Sequence, residues 1–84
     1  MHNNFSIFPD RANKQVNVEI KDNTYDDLMI EIIDDNDQVV YSKELNNNLN
    51  KFIEVIDLRE QPKGIYFVKI QRGEMIMKVK KAVF

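Results

Sequence analysis

The stretch QVNVEIK (15–21) puts Val16, Val18 and Ile20 on one side of an extended chain and Gln15, Asn17, Glu19 and Lys21 on the other. Successive side chains of a strand point to opposite faces, so this segment buries one face and wets the other. The same period continues outward from it. Leu28, Ile30 and Ile32 repeat the pattern, and Met29 and Ile33 make the 28–34 run apolar on both sides. Further β-rich runs are FSIF (5–8), VVYSKEL (39–45), FIEVIDL (52–58), GIYFVKI (64–70) and EMIMKVKKAVF (74–84). The breaks are KDNTYDD, DDND, NNNLN, REQPKG and Arg72-Gly73. Their Asn and Asp residues bond their own main chain or accept left-handed backbone, and Gly73 adopts positive φ freely. Short strands at this spacing predict an all-β, immunoglobulin-like antiparallel sandwich of about seven strands. Leu45, Leu49, Phe52 and Ile56 also fall at helical spacing. The Asn46–Asn48 run and the β-branched Ile53, Val55 and Ile56 favour the strand.

A chain of 84 residues forms one domain. The expected division is a linker over 1–4 and the sandwich over 5–84. Hydrophobic residues at 43% and charged residues at 31% are values of a folded chain. With no cysteine, disulfides and thiolate zinc sites are excluded. The opening MHNNFSIFPD lacks a basic stretch followed by an apolar one, so it does not read as a secretory signal. No apolar run approaches the ~20 residues of a membrane span. Charge is uneven: residues 1–62 carry 6 Lys/Arg against 13 Asp/Glu, while residues 63–84 carry 6 Lys/Arg and a single acid, Glu74. The net charge of −2 and a pI near 5.3 argue against a nucleic-acid module despite the basic end.

Catalytic residues are scarce. His2 is the sole histidine and lies in a terminus expected to fray, so neither Ser6 nor Ser42 gains a base. The acid pairs Asp26-Asp27 and Asp34-Asp35 lie in turns, where carboxylates stay solvated and ionised. DDND (34–37) clusters oxygens but lacks the glycine and glutamate spacing of a calcium-binding loop, so it reads as a hairpin turn. Gly64 and Gly73 do not make a phosphate-binding loop. The expectation is a domain without enzymatic activity, cofactor or metal.

The order of the remaining features is more telling. Phe8-Pro9 opens the domain, and Asp34 is followed by Val40 at the central turn. Leu58 precedes Gly64-Ile65-Tyr66-Phe67-Val68, and Lys80-Lys81-Ala82-Val83-Phe84 closes the chain. Taken together over residues 5–84, this order resembles the type A C-terminal sorting domain of proteins exported by the type IX secretion system of Bacteroidota. Three positions depart from the family pattern. Asp10-Arg11 stands where Asn-Pro is usual, Asp37 where a turn glycine is usual, and Gln61 where an apolar residue is common. Aspartate tolerates left-handed backbone at some strain, so the central hairpin is expected to survive. Loss of the second proline is expected to loosen the opening turn.

The resemblance implies a signal carried by an upstream cargo domain. It implies folding in the periplasm, recognition by the outer-membrane translocon, removal by a sortase-like surface protease, and delivery of the cargo to the cell surface or beyond. By the same resemblance, recognition falls on Gly64, Tyr66 and the final residues Lys80, Lys81, Ala82, Val83 and Phe84. Phe8, Pro9, Asp34, Val40 and Leu58 are motif positions of structural weight. On physical grounds Tyr66 packs its ring inside and bonds its hydroxyl to a loop, as at the tyrosine corner of sandwiches. A terminal strand at a sheet edge is open to β-augmentation. The competing reading is an immunoglobulin- or fibronectin-like module for a glycan or protein, since fold alone does not fix function.

Overall fold

The computed structural model describes residues 4–21, 27–45 and 51–84. Seven strands follow in order: β1 (Asn4–Asp10), β2 (Gln15–Lys21), β3 (Leu28–Asp34), β4 (Val39–Leu45), β5 (Lys51–Asp57), β6 (Ile65–Arg72) and β7 (Met75–Val83). They form two antiparallel sheets, β1-β2-β5 and β4-β3-β6-β7. The chain is thus the all-β sandwich that the alternation predicts. In the constant-type immunoglobulin arrangement the fourth strand joins the first sheet. Here β4 pairs with β3 instead. The first strand begins at Asn4, which pairs with Lys21. His2 and the whole of 22–26, with Asp26, and of 46–50 lie outside the described residues.

Packing follows the sequence period. Val16, Val18 and Ile20 of β2 are fully buried against Leu28, Ile30 and Ile32 of β3 and Val68 and Ile70 of β6 in the shared core. Each such side chain contributes about 1.5–3 kcal/mol on leaving water. Two bulges adjust the edge strands. The β3–β4 register shifts at Val40 and the β6–β7 register at Met77, and both residues pack against the core rim. An extra residue of this kind bends an edge strand and increases its twist.

The turns use the chemistry their residues offer. Asp34 Oδ1 accepts the amides of Asn36 (2.8 Å) and Gln38 (2.9 Å), and the main chain closes from the Asp34 amide to the Gln38 carbonyl at 2.9 Å. Asp37 takes φ +63°, the conformation its missing glycine would have adopted. Gly73 (φ +59°) is the first residue of a two-residue hairpin loop between the paired Arg72 and Met75, the pattern of a type II′ turn. The opening turn is bonded within itself. Asp10 accepts the Asn13 amide (3.3 Å) and side-chain nitrogen (2.9 Å), and these hydrogen bonds keep its carboxyl below the usual range.

Opposite ends of the sandwich carry the two ends of the described chain. Asn4, Lys21, Leu28 and Arg72 share one pole, while Asp10, Gln15, Asp34, Tyr66 and Val83 share the other. A chain entering at β1 therefore enters far from where β7 finishes.

Candidate functional site

The pole where β7 finishes gathers most of the sequence-selected residues. Gly64 and Phe84 exchange two backbone hydrogen bonds, Gly64 amide to Phe84 carbonyl at 3.1 Å and Phe84 amide to Gly64 carbonyl at 2.9 Å. The last residue is thereby tied to the start of β6. Gly64 holds φ +158°, at the margin of what L side chains adopt, and an added Cβ there would meet no atom within 4 Å. The constraint at this glycine is backbone conformation and not a close approach.

Tyr66 forms the centre of the pole. It is 2% exposed, its ring lies 6.2 Å from that of Phe84, and its hydroxyl donates to the Pro62 carbonyl. This is the tyrosine-corner bond predicted from the sequence. Burial, with Asp34 and Asp35 nearby, pushes its phenol above the ordinary range. Leu58 plugs the same end at 2% exposure. Its amide donates to the Lys14 carbonyl (3.0 Å), and its carbonyl accepts from Gln61 (3.0 Å). Ala82 is buried beside Tyr66, its pairing partner. Pro9, Asp34 and Val40 also lie toward this pole. Phe8 does not join them: it faces outward from the three-stranded sheet and is 55% exposed.

Lys80, Lys81 and Val83 line β7, which is the outer strand of its sheet. Lys80 shares the inward side with Ala82, and Lys81 shares the outward side with Val79 and Val83, as their partners Val68, Phe67, Lys69 and Ile65 dictate. The outward side of the four-stranded sheet is apolar toward this pole, while Ser42, Glu31 and Lys69 make the row that leads to Val79 polar. Ile33 and Phe67 run into Lys81 in one row, and Ile65 meets Val83 in the next.

Sequence reasoning missed two features. Lys14 adopts φ +52°, and its ammonium donates to the Gln61 carbonyl, locking the opening turn to the Leu58–Gly64 loop. Lysine carries no sequence signature for such a role. The second is a polar clasp at the opposite side of the sandwich. Glu54 of β5 accepts from the Tyr41 hydroxyl and from Lys43 Nζ at 2.6 Å, bridging the two sheets. Lys43 Nζ also stands 5.6 Å from the centre of the Phe52 ring. Partial burial works against ionisation of Glu54, yet the bonds from Lys43 and Tyr41 hold its carboxyl below the usual range. The signal was present: Glu54 sits between Phe52 and Ile56 on the inward phase of its strand.

Among the described residues no three metal-ligating side chains converge. Ser6 pairs with Glu19 and Ser42 with Glu31 on the sheets. Residues 6–84 match the family model of the secretion system C-terminal sorting domain. No curated protein matches the chain.

Proposed function

The chain belongs to the family of secretion system C-terminal sorting domains, and we propose that it is read at the pole where β7 finishes while its cargo hangs from the other. It is a type IX secretion sorting signal, and the protein that carries it is exported. The match across nearly the whole folded body carries this conclusion. In the reading proposed here, the outer-membrane translocon engages Gly64, Tyr66 and the segment Lys80–Phe84 after the domain folds in the periplasm. A sortase-like protease then cuts upstream of β1 and leaves the cargo at the cell surface. The polarity of the fold supports such a division, since the start of β1 at Asn4 and the signature residues lie at opposite poles.

Within this reading the domain performs no catalysis. Tyr66, Leu58, Asp34 and Val40 act by holding the pole in shape, so the translocon meets a rigid end. The test is a graft. Residues 1–84 fused to a periplasmic reporter should bring it to the surface in a host with this system, and removal of Lys80–Phe84 should strand it in the periplasm. Surface delivery of the truncated fusion would refute the reading. Truncation also removes buried Ala82, so a fusion with Lys81→Glu, which leaves the core intact, should show the same arrest with an unchanged melt. The binding-module reading draws on exposed Phe8, Ile53 and Val55. It requires that Phe8→Ser abolish ligand capture and leave export untouched.

A further inference from the structure

The sheet edge formed by β7 has a definite hydrogen-bonding phase. Antiparallel ladders alternate between residues whose amide and carbonyl face the neighbour and residues whose groups face away. Gly64 and Phe84 form a hydrogen-bonded pair, so Ala82, Lys80 and Lys78 also face β6. The main-chain groups of Val79, Lys81 and Val83 therefore point to the open side, where the sheet has no further strand.

Two of the other three edges, β4 and β1, are guarded. The Val40 bulge interrupts β4, and Tyr41 and Lys43 turn inward to Glu54 of β5. Pro9 lies within β1 and has no amide hydrogen to donate to an incoming strand. By contrast β7 is regular from Lys78 to Val83. Its guard is charge. Lys78, Lys80 and Lys81 take part in no ion pair among the described residues. Two β7 edges meeting each other would set lysine near lysine, which is unfavourable between strands. The same lysines favour an acidic strand. Val79 (51% exposed) and Val83 (43% exposed) present apolar side chains on the outer face at the open edge, on either side of Lys81.

We propose that β7 receives an extended segment of a partner protein as a fifth strand of its sheet, with acidic side chains against Lys78 and Lys80 on the inward side and apolar ones against Val79 and Val83 on the outward side. This rests on the sorting reading and names the chemistry of its receptor. The partner's backbone bonds to Val79, Lys81 and Val83, and charge sets which strands are accepted.

The test uses the full chain and a peptide of roughly nine alternating glutamates and valines, long enough to span the edge. In amide exchange and NMR titration it should protect the Val79, Lys81 and Val83 amides. A lysine–valine peptide should not. Val79→Pro removes an outward amide without touching a bond to β6, so it should fold normally and bind roughly tenfold more weakly. Reversing Lys78 and Lys80 to glutamate should switch the preference to the lysine–valine peptide. Equal binding of both peptides, perturbations away from β7, self-association through these amides, or vesicle binding by anionic lipid that Val79→Pro leaves intact would each overturn the proposal. Export separates it from the broader reading. If the Val79→Pro fusion reaches the surface while the Lys80–Phe84 truncation does not, augmentation fails and the sorting role stands. If the unaltered graft is not exported, the sorting role fails first.

Discussion

Replacing Tyr66 with phenylalanine removes one oxygen atom and the bond to the Pro62 carbonyl, and leaves the ring packed on Phe84. A buried neutral hydrogen bond contributes about 1 kcal/mol net. Unfolding entropy near the midpoint is about 2.1 cal/mol/K per residue, which for 84 residues amounts to about 0.18 kcal/mol/K. The substitution should therefore lower Tm by about 6 °C. Tyr66→Ala deletes a ring that is 2% exposed and should cost about 3–5 kcal/mol. A domain of this length has a total stability of order 4–13 kcal/mol, so the alanine variant stands near the limit of folding. Calorimetry on the purified chain measures both effects. Export of a fused reporter distinguishes a folding role from a contact role: Tyr66→Phe should be exported in proportion to its folded fraction, close to the unaltered domain at growth temperature. A Tyr66→Phe protein that melts with the parent would refute the hydroxyl's part in closing the pole. One that melts about 6 °C lower as expected yet is not exported while folded would show that the translocon reads the hydroxyl directly.

Three further outcomes follow from the same structure. The carboxyl of Glu54 is held low in the folded state, so its clasp adds stability that is present above the ordinary value of 4.5 and is lost as pH falls through the depressed one. Glu54→Gln should flatten that acid limb in pH-dependent denaturation, and an unchanged acid limb would count against the clasp. Tyr41 moves oppositely: burial first, then its bond to Glu54, raises its phenol, so the clasp is intact below pH 10.0 and weakens as pH rises beyond it. Tyr41→Phe should remove that alkaline loss in the same assay. Asp37→Gly relieves a left-handed aspartate and should stabilise by up to about 1 kcal/mol, whereas Asp37→Val should destabilise by about 1–2 kcal/mol, both read by urea midpoint.

Much of this molecule was legible in its residue order. The alternation in 15–21 and 28–34 fixed which side chains are interior, because a strand offers only two faces and water rejects one of them. Tyr66, four residues beyond Pro62 at the start of an apolar run, announced a corner. The Glu54 clasp was half legible, as an acid on the inward phase of β5. Its partners on β4 were not, because no local pattern states which strand of the other sheet lies opposite. Lys14 was silent, since its left-handed backbone is imposed by the loop it locks.

The sequence alone determined the strands, their buried faces and the turns, because these depend on neighbours two to four residues away. Tertiary structure alone decided that β4 joins β3, that β7 is an outer strand of its sheet, and which of its amides point outward. Those are properties of pairing between distant segments. A lysine-rich strand reads the same along the chain whether it lies in the middle of a sheet or at its margin.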